Sequence, residues 1–515
     1  MNKAANGPAD AKGISRRRMI QVTSTAALGL AAKLGSGAVS NVPVIRIDPK
    51  PLFDLSPWLY MQFMEPLGTT DGSIEASWDH MKNRWRPDLI EATKQLAPGM
   101  VRWGGLFSAY YKWREGVGSR SARKPMHNLV WGGTETNQVG TAEFVQFCEQ
   151  VKADPLMCVN FEAEGDPQWA KNPRGELRAG NAQEAADWVD YCNNPGNAER
   201  RVHGFQDPLP IKVWQLGNET SFGQRRFGRD AAITKTIEFS RAMRKVDPSI
   251  KLIAWGDSGW APQMIERAGE HIDYIAFHHL FDPGEPLNDQ YFRKDPAATW
   301  LALMETVKRQ EKKIKEMRQQ VDAQKFPLAM TECHFTMRGR NRCDLNSTWA
   351  VGVAYARFMH LHQRHGDRLK IANIGDFCGT RWQTNVIMLP VPGGKAYIMP
   401  VGKVAALYGK HSGTQAIGIG QAPPALDIVA SRSGDKFFVH VINTHRTRAQ
   451  FLKIEAAGFS ITSVKAFQIA AEPEAEIFSA EADPMKLKER AFGPDEALEF
   501  PGASVTALEI QTRPA

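Results

Sequence analysis

Two glutamates stand where short apolar runs end. Glu219 closes Val213-Trp214-Gln215-Leu216-Gly217-Asn218-Glu219, and Glu332 closes Pro327-Leu328-Ala329-Met330-Thr331-Glu332. Each run reads as a buried strand, the fourth and the seventh of eight along the chain. In a closed ring of eight parallel strands those positions lie nearly opposite each other. Paired carboxylates facing across such a mouth suit the cleavage of a glycosidic bond: one protonates the leaving oxygen while the other attacks from the opposite side. A separation of about 5 to 5.5 Å would make the chemistry retaining. Repulsion between two such groups is expected to raise one of them, keeping it protonated near neutrality. Glu65, Arg102, Asn218, Asp257, His278 and Asp376 also fall at predicted strand ends, the part of a parallel barrel that carries chemistry. The doublet His278-His279 has no third ligand at a useful spacing, so neither a metal nor a cofactor is implied.

The elements that must hold these residues follow from apolar periodicity. Strands are expected at Tyr60–Glu65, Met100–Trp103, Leu156–Phe161, Lys212–Asn218, Lys251–Gly256, Tyr274–His278, Leu328–Glu332 and Ile371–Phe377. Helices are expected between them at Pro87–Leu96, Ala142–Val151, Asn181–Tyr191, Ala231–Val246, Ala297–Val321 and Ser347–His365. This is the α/β pattern of a (β/α)8 TIM barrel, placed at residues 55–405. Beyond Leu407 the chain turns to short alternating segments such as Phe437–Asn443 and Val505–Ile510, which predict a C-terminal antiparallel β-sandwich over 406–515. Val44–Asp48, within a segment spanning 41–54, is expected to join that sandwich.

Composition agrees with a globular protein of this size. The 515 residues are 43% apolar and 23% charged, and the net charge of +8 is concentrated at the start. Residues beyond 40 hold 58 Lys/Arg against 55 Asp/Glu, a net of +3, which leaves no footprint for a nucleic-acid partner. Fourteen Trp suit a protein that stacks sugars, and equally serve as core. The six Cys lack metal spacing and predict buried thiols, with a Cys333–Cys343 staple left open. Ser15-Arg16-Arg17-Arg18-Met19-Ile20 and the Ala/Leu/Gly run to Ala32 are similar to a twin-arginine signal. Residues 1–40 are therefore expected to be a leader that takes the folded protein to a periplasm or outside the cell, with no membrane association once it is removed.

Several motifs together resemble one family, the clan A retaining glycosidases, and within them the family 51 α-L-arabinofuranosidases. The likeness runs through Ile45-Arg46-Ile47-Asp48-Pro49, Leu59-Tyr60-Met61-Gln62-Phe63-Met64-Glu65-Pro66-Leu67-Gly68, Val101-Arg102-Trp103-Gly104-Gly105, Trp113-Arg114-Glu115-Gly116, Ala185-Ala186-Asp187-Trp188-Val189-Asp190-Tyr191-Cys192-Asn193 and Gly217-Asn218-Glu219. The resemblance implies Glu219 as acid/base and Glu332 as nucleophile. It also implies Asn218 on the sugar 2-hydroxyl, Glu65 and Arg102 in the glycone pocket, His278 as the strand-six histidine, and an oligosaccharide or polysaccharide substrate. The family is often multimeric, so a homo-oligomer is an expectation.

Three departures fall where the family holds its furanose ring. Leu106 stands where a sugar-binding Asn is expected, His278-His279-Leu280 lacks the family's Tyr, and Asp376 replaces a Gln. They leave open a retaining enzyme with another substrate, such as an endo-glucanase, a xylanase or another furanosidase. A non-catalytic carbohydrate-binding protein is the remaining alternative, disfavoured because a binder has no need of an opposed carboxylate pair.

Overall fold

The computed structural model describes residues 42–68, 70–281, 291–336 and 344–515. The segment expected to be a twin-arginine leader, and Cys343, lie outside them. Eight parallel strands close into a ring: Met61–Met64, Met100–Trp103, Asp154–Val159, Val213–Leu216, Lys251–Trp255, Tyr274–Phe281, Leu328–Phe335 and Leu369–Gly379. Each pairs with the next, and the eighth returns to the first through Asn373 with Met61 and Asp376 with Phe63. Side chains two apart on a strand face the same side. Met61, Met100, Leu156, Val213, Ile253, Ala276, Ala329 and Ile371, one from each strand, fill one apolar layer of the barrel. Two residues further along, Phe63, Arg102 and Gln215 make the layer above it, and the chemistry sits over that plug.

Strand ends differ from the sequence expectation in an informative way. The fourth strand stops at Leu216, because Gly217 and Glu219 take left-handed φ values of 73° and 55°. The sixth and seventh run on to Phe281 and Phe335, so His278 and Glu332 lie inside their strands, not at the last residue.

Helices follow every barrel strand. Six fall where periodicity places them, as Pro87–Leu96, Thr141–Val151, Ala182–Asn193, Arg229–Val246, Pro296–Val321 and Trp349–Arg364. Asn181 and Asp295 cap two of them, accepting the N–H of Glu184 at 2.8 Å and of Ala298 at 3.0 Å. Two more, Ala261–Ala268 and Pro400–Lys410, were not expected. The first has only eight residues. The second carries Gly402 and Gly409, poor helix formers kept for close approach: a Cβ on Gly409 would lie 2.4 Å from the Leu96 carbonyl oxygen. The 405/406 boundary falls inside this helix.

Val44–Asp54 and the strands from Gln415 onward form one nine-stranded sheet that rolls up on itself. Val44–Asp54 sits within it, antiparallel to Gln415–Ile419 and parallel to Gln450–Ala456. The roll closes where Ala456 meets Phe459, and Ile47, Phe437, Val441, Leu452, Phe500 and Ile510 fill its interior. The sandwich of the sequence reading is thus a rolled sheet, antiparallel except at its N-terminal strand. Cys148, Cys158, Cys192, Cys333 and Cys378 are buried free thiols, and Cys333 Sγ lies 3.6 Å from Gln310 Oε1.

Asp427, on sheet strand Leu426–Ser433, ties the sheet to the helix Trp349–Arg364. Its carboxylate meets Arg357 at 3.1 Å and His360 at 2.9 Å, and also takes Arg364. Burial pushes Asp427 up, but His360 and Arg364 outweigh it and hold it far below the usual carboxylate range. A folded-state pKa below the unfolded value of about 3.9 contributes stability that is present above that pH and lost as pH falls below it. Asp427→Asn should therefore cost roughly 3 kcal/mol at pH 7 in urea unfolding, the usual order for breaking a buried ion pair. The gap from wild type should narrow below about pH 4. A gap unchanged at acid pH would contradict this role.

Candidate active site

A fully buried guanidinium organises the floor of the site. Arg102, on the second strand, gives Nη1–H to Glu332 Oε1 at 2.9 Å, Nη2–H to Asn218 Oδ1 at 2.6 Å and Nε–H to Gln215 Oε1 at 2.8 Å. Its carbon face lies 4.7 Å above the Phe63 ring. A charge without water must be paired, and these bonds supply the partners. They also fix one oxygen of Glu332, leaving the carboxylate as the acceptor end of a charge-assisted pair.

Opposite it, Glu219 follows the tight turn at Gly217. Carboxylate oxygens of Glu219 and Glu332 lie within 4.8 Å of one another, with a ring nitrogen of His278 inside the same limit of both. His278 Nδ1 is 2.9 Å from Glu219 Oε1 and 3.6 Å from Glu332 Oε2, while Nε2 is 2.9 Å from Thr331 Oγ1. A register irregularity makes this possible. Phe277 pairs with Met330 but His278 with Glu332, so the seventh strand has one extra residue, Thr331, and both it and Glu332 reach the same imidazole. These three side chains are the one set among the described residues close enough to share a cation.

This arrangement alters the electrostatics expected from the sequence. Repulsion between two carboxylates would raise Glu219. Burial does push it up, but the hydrogen bond and charge of His278, with Arg226 and Arg102, outweigh burial and hold Glu219 below its ordinary value. Glu219 is thus governed by its hydrogen bond to His278 and not by repulsion from Glu332.

The remaining wall is acidic. Glu65 accepts the Phe107 N–H at 3.0 Å and the Trp131 indole N–H at 3.2 Å. Burial, then the charge of Glu332, pushes it up to about 8, so it is a neutral acid near pH 7. Asp376 accepts the Thr384 hydroxyl at 2.8 Å and lies 3.3 Å from His334 Nδ1. His334 follows Glu332 by two residues on the same strand and was overlooked because that strand was expected to stop at Glu332. Leu106, half-buried, begins the turn whose next residue, Phe107, donates to Glu65.

Seven of the eight strand-end residues singled out from the sequence, Glu65, Arg102, Asn218, Glu219, His278, Glu332 and Asp376, gather at this end of the barrel, all of them buried except the half-buried Glu65. Arg102 is spent on protein groups, so its place is beneath the pocket. Asn218 Nδ2 is buried and has no partner among the described residues, which leaves a donor for a hydroxyl. Asp257 is one layer back, 2.5 Å from Lys313 Nζ. His279 points the other way, to Gln310, and burial pushes it down to about 4. Sequence reasoning missed Gln215, Thr331, His334 and Glu164. The strand-end rule that found the others reaches Glu164, three residues beyond Phe161.

Known proteins place this geometry. Residues 92–298 match the family model described as "Alpha-L-arabinofuranosidase 1 domain". The chain is 33% identical over 230 residues to alpha-L-arabinofuranosidase C of Emericella nidulans, covering 42% of each chain. It is 32% identical over 251 residues to the intracellular exo-alpha-(1->5)-L-arabinofuranosidase of Acetivibrio thermocellus, covering 45% of this chain and 46% of that one. It thus spans less than half the length of the curated relatives it matches. Among solved structures it is similar to the alpha-L-arabinofuranosidase of Thermotoga maritima in its arabinose complex, with a TM-score of 0.72, 22% identity, and coverage of 92% of this chain and 100% of that one. In sequence over residues 92–298, and in fold across barrel and rolled sheet, the chain is α-L-arabinofuranosidase-like.

Proposed function

We propose that this protein is a retaining glycoside hydrolase that releases terminal α-L-arabinofuranosyl residues. The observation that carries the reading is the pair Glu219 and Glu332, with carboxylate oxygens within 4.8 Å of one another above a packed barrel. That spacing leaves no room for a water between attacking group and sugar, as an inverting enzyme requires. Glu332, oriented by Arg102, attacks the anomeric carbon. As the glycosidic bond breaks, its oxygen takes a proton from Glu219, giving an alcohol and a glycosyl ester on Glu332. Water then gives a proton to Glu219 and attacks the same carbon from the opposite side, releasing the sugar and the carboxylate.

His278 supplies the proton balance. With Nε2–H donating to Thr331 Oγ1, a proton between Nδ1 and Glu219 Oε1 can sit on either atom. Sugar entering the pocket displaces water and disfavours the separated charges, moving that proton onto Glu219, where the leaving oxygen needs it. Asn218 Nδ2 and the neutral carboxyl of Glu65 offer donors to sugar hydroxyls.

A second reading keeps the mechanism and changes the sugar. Asp376 beside His334, with Leu106 near Glu65, puts a carboxylate and an apolar group where amides are expected, and a polar site rejects sugars that lack the matching hydroxyl. Other furanosides, xylosides and glucosides are the substrates to compare. Export through the twin-arginine route belongs to the same proposal, on the strength of Ser15–Ile20.

Residues 41–515, assayed on nitrophenyl α-L-arabinofuranoside, D-furanosides, xyloside and glucoside, should release nitrophenol from the first. Release only from another member would establish the second reading, and release from none would count against hydrolysis of small glycosides. Glu332→Gln should lose at least about 10⁴-fold on every active substrate. Glu219→Gln should lose about 10²- to 10⁴-fold on substrates with poor leaving groups and under about tenfold on activated ones. Equal losses on both would remove Glu219 from the acid role.

A further inference from the structure

Behind the acid/base lies a carboxyl that the mechanism does not use. Glu164 is fully buried in the loop after the third strand. Its Oε1 accepts the N–H of Asn218 at 2.8 Å, and its backbone carbonyl accepts the N–H of Phe227 at 3.1 Å. One residue therefore holds both ends of the 218–227 loop, which carries Glu219. The turn is moulded on it as well: a Cβ on Gly217 would lie 2.8 Å from Glu164 Oε2. Arg226, within the clamped loop, stacks 4.6 Å over Trp169 and donates to the Glu219 carbonyl.

Keeping Glu164 in place is costly. Glu162, Ala163, Glu164 and Gly165 all have left-handed φ, between 50° and 77°, a conformation that non-glycine residues rarely adopt in succession. Asn160 Oδ1 secures the loop by accepting the N–H groups of Ala163 at 3.1 Å and Gly180 at 2.8 Å. Glu164 Oε2, moreover, is buried without a partner among the described residues. An apolar side chain would avoid that cost. What it could not do is accept the Asn218 N–H.

We propose that Glu164 is a positioning residue for the acid/base, clamping the 218–227 loop so that Glu219 meets the leaving oxygen. The inference rests on the glycosidase reading above. Burial, offset in part by the Asn218 N–H, leaves the Glu164 carboxyl raised to about 8. Near neutrality it therefore holds the loop without adding a third negative charge beside Glu219 and Glu332.

The test compares Glu164→Ala, Glu164→Asp and Glu164→Gln, with Glu219→Gln as reference, on dinitrophenyl and phenyl α-L-arabinofuranosides. Displacing the acid should lower kcat on the phenyl substrate by about twentyfold or more, and on the dinitrophenyl substrate by less than about threefold. Glu164→Ala and Glu164→Asp should both show this split. Glu164→Gln, which keeps the acceptor, should stay within about threefold of wild type on both. If Glu164→Ala fails to fold, the contrast between Asp and Gln carries the test. Equal losses on the two substrates, or a Gln variant as impaired as Ala, would overturn the positioning role. A wild type and Glu219→Gln that show the leaving-group split while no Glu164 variant does would overturn this inference alone. A wild type inert on both arabinofuranosides would overturn the functional reading and this inference with it.

Discussion

A positive charge with no access to water is the constraint on which this site rests. Arg102 cannot be deprotonated and cannot reach solvent, so its hydrogen bonds must be met from within the barrel. Glu332, Asn218 and Gln215 meet them, and in doing so the second, fourth and seventh strands are pinned at the height where the sugar would sit. The apolar layer below, with one side chain from each strand, closes the barrel beneath it. The guanidinium holds one oxygen of Glu332 in place, while His278 hydrogen-bonds the neighbouring Glu219. Two carboxylates a few ångströms apart thus differ because their partners differ.

The barrel and the paired carboxylates at its mouth were legible because both obey simple rules. Parallel strands buried on both faces read as apolar runs, and ionisable residues just past them have few reasons other than chemistry to be there. What escaped was whatever depended on three-dimensional neighbours. The lowered Glu219 depends on His278, which reaches it only through the extra residue at Thr331. His334 escaped because a run ending in Glu-Cys-His gives no sign that the strand continues. Gly402 and Gly409 hid the last helix, since their packing against other backbones is invisible along the chain. The rolled sheet was read as a sandwich because alternation reports one buried face and not how a sheet curls.

The central group and the wall around it are held differently. Arg102, His278 and Glu332 stand on barrel strands, and Glu219 on the loop just past the fourth. Around them, Glu65 and Leu106 follow the ends of their strands, while His334 and Asp376 lie within theirs. In fold the chain is similar to the Thermotoga maritima alpha-L-arabinofuranosidase over 92% of its length.

The most direct measurement is the stereochemistry of the first product. Proton NMR of the sugar released from the best nitrophenyl substrate, recorded before mutarotation, reports which anomer leaves the enzyme. Two carboxylates this close predict retention, with the product anomer matching the substrate. Initial release of the opposite anomer would mean that a single displacement by water takes place, and Glu332 would not be a nucleophile.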